Sequence, residues 1–540
     1  MLAVNNKKVF FIRSCTKSVV VKTSLRKTRK NALVLWRVIA VFIVQTVHAP
    51  DEYWQSLEVA HRMAFGYGHL TWEWTWQIRS YVYPFLISIL YRVLALYSLD
   101  SVLLLTTLPR IFQAILSAYA DYKFFKWHKN ETMLFAMCLN WYWYYCATRT
   151  LINSVETACT TIALTIYPWR NQRRYPWRCI RDTDYLWIVG FLCMMRPTAA
   201  VIWFPLCLAH LYINVYLYLD VRILLKYILI GLTCAATCVL IDSCCYGTFV
   251  ITPWNFFKMN VVKNIGSTYG SYHLLWYIFI ALPVMFGYHA IVFLYACWVL
   301  CTKKRQFLHR EKLMMITIIW TIFVYSWLPH KEFRFILPLF PMVICVICSC
   351  IHSFKTYCSL QFYNIITSVS ISINLAAILY FSLIHQRAPL VIMDILRHEI
   401  TQADSSITDT LFLTPCHATP LYSHLHVNAS IRFLTCEPNF NNIEDYVDEA
   451  DQFFADPATW LKNNYINNSK VTLPTYVIIF SNIMSKISEF LHTYYKPIAI
   501  VFHTDFAEWP YGMKMILYKR KDYSAILEKK IQCVNHTDIT

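Results

Sequence analysis

Charge is what this sequence has least of. Only 15% of its 540 residues are Asp, Glu, Lys or Arg, against roughly a quarter in soluble globular chains. So low a fraction excludes a charge-extended disordered protein and argues against an ordinary soluble globule. Acidic residues are the scarcer sign, 31 against 49 basic ones. Glycine is scarce too, with 9 residues, and no internal repeat or low-complexity tract is visible, which leaves out repeat and fibrous architectures. What fills the chain instead is apolar, 57% hydrophobic and 17% aromatic.

That apolar content is organised. Runs of about 15 to 25 hydrophobic residues recur from Leu33 to Ile384, as in a polytopic α-helical membrane protein. The +18 formal charge would point to nucleic acid in a soluble chain. Here the cations sit in short loops between apolar runs, where they mark the cytosolic face, so no nucleic-acid partner is expected. About thirty residues rich in Lys and Arg precede Leu33, and no small-residue cleavage pattern follows it. Residues 1–32 therefore read as a cytosolic tail, and Leu33–Val47 as a retained anchor that places His48 on the lumenal side.

Basic clusters at Lys123–Lys129, Arg170–Arg181, Arg222–Lys226 and Lys303–Arg310 mark later cytosolic loops. Parity then requires that one of Tyr83–Tyr97 and Ser101–Ala120 does not cross. The shorter, Tyr83–Tyr97, interrupted by Arg92, is expected to be a lumenal interfacial helix. The count is about 11 transmembrane helices, with Tyr185–Leu217 taken as two short ones broken at Arg196-Pro197. An odd count puts the C-terminus in the lumen. Residues 33–385 form the membrane domain, with 48–100 as its first lumenal loop. From 386 to 540 the pattern changes to sequons at Asn428, Asn467 and Asn535, β-like runs at Thr475–Phe480 and Pro497–Phe502, and a helical stretch near Ile483–Thr493. These predict a small lumenal α/β domain. Most of the 20 cysteines lie in apolar runs and read as packing residues. Cys416 and Cys436, in the polar segment, are candidates for a disulfide.

On this topology, mixed polar residues gather on the lumenal side: Asp51, Glu52, Arg79, Arg149, Asn153, Glu156, Arg196, His330, Lys331, Glu332 and Arg334. Acids beside hydrocarbon are costly and mark function. Pro50 is expected at the first helical position, with Asp51 in the first turn, where an anion is favoured, and Gln55 and Glu58 on Asp51's face. Tyr53, Leu57, Ala60 and Ala64 make an opposite apolar face, suited to an interfacial helix. Adjacent residues point about 100° apart on a helix, so Asp51 and Glu52 cannot both address one substrate atom. Lys331 and Arg334 could grip a phosphate, Arg as a fork and Lys as a point charge. The loop around Thr252–Asn255 and Asn264–Gly270 suits sugar hydrogen bonds or a plain connection, and His417, His424 and His426 read as surface histidines. This set supports glycosyl transfer from a lipid-linked donor, one carboxylate taking the proton of a sugar hydroxyl while cations neutralise a leaving phosphate. No carboxylate cluster makes a metal site, so neither metal nor other cofactor is expected.

The stretch His48-Ala-Pro-Asp-Glu-Tyr-Trp-Gln-Ser-Leu-Glu58, with Tyr67-Gly-His-Leu-Thr-Trp-Glu-Trp74 and Arg79, resembles the signature of the dolichol-phosphate-mannose-dependent α-mannosyltransferases of the GT-C superfamily. Thr148-Arg-Thr150, Arg196-Pro-Thr198, His330-Lys-Glu-Phe-Arg-Phe335, Pro415-Cys-His-Ala-Thr-Pro420 and Asp448-Glu-Ala-Asp451 are similar as well. Ala49 departs from the signature, standing between its His and Pro. The resemblance implies a GT-C enzyme of the endoplasmic-reticulum membrane that adds the third mannose, α-1,2-linked and with inversion, to the GPI-anchor precursor from dolichol-phosphate mannose. It makes Asp51 the expected base, with Glu52 beside it, and His48, Gln55, Arg79 and the lumenal polar residues of the later loops as substrate contacts. The alternatives are an α-1,2-mannosyltransferase of dolichol-linked N-glycan assembly and a membrane transporter.

Overall fold

The structure is a computed structural model that describes residues 28–169, 183–287, 289–302, 309–357, 359–403, 408–440, 443–468 and 470–522. The first part of the basic tail, the Arg170–Arg181 cluster, Lys303–Arg305, the Asn535 sequon and Cys533 lie outside the described residues. Among the described residues, five helices are long and apolar enough to cross a membrane: Val102–His128, Ala199–Leu217, Val221–Tyr246, Phe333–Ile351 and Leu360–Gln402. Shorter apolar helices cover Val82–Leu96, Asp184–Met195, Tyr277–Phe286 and His289–Val299. The break expected at Arg196-Pro197 separates Asp184–Met195 from Ala199–Leu211, because Pro197 has no N–H to continue the ladder.

The chain forms two compact units, each assembled from segments distant in sequence. Of the described residues, one contains those within 28–43, 110–237 and 272–375; the other contains those within 44–109, 238–271 and 376–522. In the first unit, Arg37 of helix 28–43 is buried against Asp121. Its Nε and Nη2 donate to Asp121 Oδ2 at 2.9 and 2.7 Å, and Trp143 Nε1 donates to Oδ1 at 3.1 Å. Two charges so placed persist because each neutralises the other.

The second unit carries a five-stranded sheet of order β2-β1-β3-β5-β4, with β1 Asp409–Leu413, β2 Ser430–Phe433, β3 Tyr476–Phe480, β4 Tyr495–Phe502 and β5 Lys514–Arg520. β1 runs parallel to β2 and β3, while β5 is antiparallel to β3 and β4. The helix expected near 483–493 begins later, at Ser488–Tyr494, because residues 481–487 are spent in turns. β3 is buried along its whole length, and its period-two alternation feeds two cores. Val477 and Ile479 pack with Phe453, Trp460 and Leu491. Tyr476, Ile478 and Phe480 share the other core with Leu396, Tyr91, Trp54 and Leu57. That second core places the helix following Pro50 against the sheet. Cys416 and Cys436 are joined, as the sequence led us to expect, with Cα atoms 6.1 Å apart.

Candidate active site

The helix over 51–65 starts one residue later than expected. The Trp54 amide donates to the Pro50 carbonyl at 3.0 Å, so Pro50 caps the helix and Asp51 opens its first turn, where the helix dipole favours an anion. It is not an interfacial helix with one wet face. Every residue from Tyr53 to His61 is buried, because protein covers both sides: Trp54 Nε1 donates to the Thr419 carbonyl at 3.1 Å, and Trp74 Nε1 donates to the Trp54 carbonyl at 3.3 Å. The adjacent carboxylates consequently differ in access. Glu52 is 2% exposed with Tyr83 within electrostatic reach, whereas Asp51 is only partly buried.

Around Asp51, one carboxylate organises the neighbouring polar groups. Gln55 Nε2 donates to Glu73 Oε2 at 3.1 Å, and Arg79 Nε and Nη2 donate to Glu73 Oε1 at 3.0 and 2.5 Å. Gln55 and Arg79 are thus brought together, and Glu73, quoted in the motif but given no role, joins them. Asp242 clips the other end of this segment, accepting from the Tyr81 amide at 2.7 Å, Ser80 Oγ at 3.0 Å and Thr252 Oγ1 at 2.7 Å. The loop containing Asn264–Gly270 is fastened at Trp72, whose Nε1 donates to Tyr269 Oη at 2.9 Å. His48 is half-buried in a segment whose backbone is bonded to Ser382 and Gln386.

The Pro415–Pro420 motif backs the same helix. The His417 ring stands 4.7 Å from that of Trp54, and His424 stands edge-on to Tyr53 at 5.2 Å. His426 Nδ1 lies 3.0 Å from His61 Nε2. None of the three is a free surface histidine. Burial, with His69 adding to it and Asp51 opposing, pushes His417 down to about 4, so it is neutral at ordinary pH. Glu58, fully buried, accepts from the Leu421 amide at 2.8 Å and from Ser423 Oγ at 2.5 Å. Burial pushes its carboxyl up, partly offset by those donors.

The remaining candidates lie in the other unit. Arg149 is buried over the Tyr145 ring at 4.0 Å, with Nε donating to the Tyr145 carbonyl. Asn153 Nδ2 donates to the Arg334 carbonyl at 2.9 Å. Glu156 pairs with Arg196 at 3.0 Å, and Arg196 Nε also donates to Thr198 Oγ1. Glu332 is gripped by His330 Nε2 at 3.0 Å and by the Arg334 fork at 2.5 Å through each nitrogen. Burial lifts the Glu332 carboxyl, but Arg334 and His330 outweigh it and hold it well below the usual carboxylate range. Lys331 Nζ donates to the carbonyls of Tyr272 and Leu328 at 3.1 and 2.6 Å. Lys331 therefore ties two loop segments together, and Arg334 is one arm of an ion cluster. Among the described residues, the one group of three ligand-type side chains close enough to share an ion is Cys416, His417 and Cys436. Its two sulfurs are bonded to each other and offer no thiolate.

The profile of the Alg9-like mannosyltransferase family matches residues 31–426, which takes in the Asp51 helix, the Glu73 segment and both polar groups. The chain belongs to the Alg9-like mannosyltransferase family. This mannosyltransferase is 43% identical to "GPI mannosyltransferase 3" of Drosophila melanogaster, over 85% of this chain and 80% of that protein. It is 40% identical to "GPI alpha-1,2-mannosyltransferase 3" of Danio rerio, over 92% and 90%, and 37% identical to the Homo sapiens protein of that name, over 90% and 85%. Its fold is similar to the crystal structure of ArnT from Cupriavidus metallidurans bound to undecaprenyl phosphate. The TM-score is 0.55, with 9% identity, over 93% of this chain and 98% of that one. This likeness gives the mannosyltransferase the GT-C type of membrane fold, mostly helical with several apolar helices.

Proposed function

We propose that this enzyme transfers the third mannose, in α-1,2 linkage, from dolichol-phosphate mannose to the second mannose of the GPI-anchor precursor. The observation that carries the substrate is the run of relatives named GPI alpha-1,2-mannosyltransferase 3, matched over most of both chains. The catalytic assignment rests on the contrast between a reachable Asp51 and a buried Glu52. In this reading the Asp51 carboxylate accepts the proton of the acceptor 2-hydroxyl as its oxygen attacks the anomeric carbon. The bond from that carbon to the phosphate oxygen breaks on the opposite face, inverting the centre. The leaving dolichyl phosphate departs as an anion, so a divalent metal is not required if protein cations receive it.

The bound undecaprenyl phosphate named for ArnT makes a polyprenyl phosphate a reasonable donor class here. Arg149, Arg196, His330, Lys331 and Arg334 are the candidate phosphate contacts, Arg196 paired through Nε with Glu156 and the Arg334 fork with Glu332. Gln55, Arg79 and His48 would position the sugars. The membrane is that of the endoplasmic reticulum, crossed about eleven times, with the N-terminus cytosolic and residues 386–540 lumenal.

Complementation of cells lacking the third GPI mannosyltransferase tests the assignment. Restored surface display of GPI-anchored proteins is expected. Stable, correctly located protein without restoration would remove the substrate assignment. Addition of a chelator to microsomes tests the metal statement, and unchanged transfer is expected.

A further inference from the structure

The end of the apolar helix Leu360–Leu383 is tied to one particular loop of the sheet-bearing unit. Tyr380 Oη donates to Asp505 Oδ2 at 2.8 Å. The Gln386 amide donates to the His503 carbonyl at 2.8 Å, and Thr504 Oγ1 lies 3.1 Å from His385 Nδ1. The loop is also closed on itself, because the His503 amide donates to the Met513 carbonyl at 2.8 Å. Residues 504–512 therefore form a compact loop with joined ends, rooted at the end of a membrane-length helix.

The tip of this loop presents two aromatic side chains, beside the exposed acids Asp505, which Tyr380 engages, and Glu508; Trp509 touches Phe454 edge-on at 5.9 Å. Phe506 is 82% exposed and Trp509 53%. Strand β4 adds exposed Ile500 and Phe502, and Met513 is exposed at the loop's base. Leu379 and Ile384, chain neighbours of Tyr380 and His385, are exposed on the helix itself. Exposed apolar side chains thus stand both on the helix end and on the loop bonded to it. Lys486 Nζ stands 4.3 Å above the Trp509 ring, an aromatic and a cation placed as they are at a membrane interface. A water-facing loop would gain nothing from such a tip. At the level where a span leaves hydrocarbon, Trp and Phe are the favoured residues.

We propose that the loop 504–512 inserts Phe506 and Trp509 into the leaflet that surrounds the Tyr380 end of this helix. The sheet-bearing unit then grips the bilayer at a point other than its chain connections. The occupant is phospholipid, since the loop is bonded to the end of a membrane-length helix whose own apolar residues are exposed there.

Site-specific photocrosslinking on the full chain, reconstituted in phosphatidylcholine vesicles, tests this. p-Benzoylphenylalanine would be placed at Phe506 and, separately, at Trp509. Two reference positions frame the result. Ile365 is exposed on the same helix, and Lys462 is exposed on the segment Lys462–Ile466, which is bonded through Tyr465 to Arg432 of β2, the sheet edge opposite β4. Lipid adducts from 506 and 509 should match those from 365 and exceed those from 462 several-fold. Yields no higher than at 462, while 365 labels, would overturn the proposal. So would adducts from 506 and 509 that contain only a second copy of the chain, or only another protein when microsomes replace vesicles.

Discussion

Glu58 and Ser423 are 365 positions apart in the chain, yet the Ser423 hydroxyl donates to the Glu58 carboxylate at 2.5 Å in a fully buried contact. With the Leu421 amide on the same oxygen, this bond fastens the helix that begins at Asp51 to the segment just after the Pro415–Pro420 motif. Geometry at Asp51 is therefore set partly by residues near the far end of the protein.

Removing this anchor should cost stability before chemistry. Glu58→Ala strands buried donors at Leu421 and Ser423, and a loss of about 2–4 kcal/mol is expected. Ser423→Ala should cost about 1 kcal/mol. Thermal unfolding of the detergent-solubilised chain measures both. A Glu58→Ala protein as stable as the parent would contradict the burial argument.

The two neighbouring acids should separate cleanly. Asp51→Asn keeps the size and removes the base, so transfer to the glycolipid acceptor should fall about 10²–10⁴-fold with little change in unfolding temperature. Glu52→Gln should show mainly altered stability. If Asp51→Asn retains near-normal turnover, Asp51 is not the base.

Glu73 holds Gln55 and Arg79 at once. Glu73→Gln should lower turnover about tenfold, the order expected when a positioning group near the chemistry is loosened. Arg79→Lys, which keeps the charge but loses the fork, should behave similarly. Initial rates with saturating donor and acceptor separate this from weaker binding.

A buried ion pair predicts an asymmetric double-mutant cycle. Arg37→Leu alone leaves Asp121 charged and buried, which should cost about 3–5 kcal/mol. Arg37→Leu with Asp121→Leu should recover most of that loss. Folded yield in detergent and unfolding temperature report it, and equal damage in the single and double variants would show that the pair is not the issue.

Acid should loosen the sheet-bearing unit. Burial, then the neighbouring His426, push His61 down to about 3, against the bond to the Tyr67 carbonyl, and His417 falls to about 4. Both bind protons in the unfolded chain below about pH 6.5 but stay neutral in the fold. Unfolding therefore takes up protons, and stability drops as pH falls from 6.5 toward 4. His61→Gln should flatten that slope, read as unfolding temperature against pH. An unchanged slope would mean that another group carries the dependence.

Much of this was legible in the sequence because it depends on local pattern. Long apolar runs report helices of membrane length, a proline without an N–H marks the break at Pro197, and alternating residues mark Tyr476–Phe480 as a strand. Asp51 stands out because acids beside apolar runs are rare, and the quoted motifs Tyr67–Trp74 and Pro415–Pro420 contain Glu73 and His417. Their partners were not legible. Nothing in the spacing of Gln55, Glu73 and Arg79 says that one carboxylate joins them, and nothing near Val221–Tyr246 marks Asp242 as the clip on Ser80 and Tyr81.

Local sequence, then, determined the chain's membrane character, its helix breaks and the acidic pair that opens the helix after Pro50. Tertiary structure decided which acid is reachable, because access depends on what covers each side. The described residues of segments 44–109, 238–271 and 376–522 form one compact unit, and Trp54, Glu58 and His61 find their partners at Thr419, Ser423 and His426. Helical periodicity fixes the angle between Asp51 and Glu52. Only long-range packing could bury Glu52 and leave Asp51 within reach.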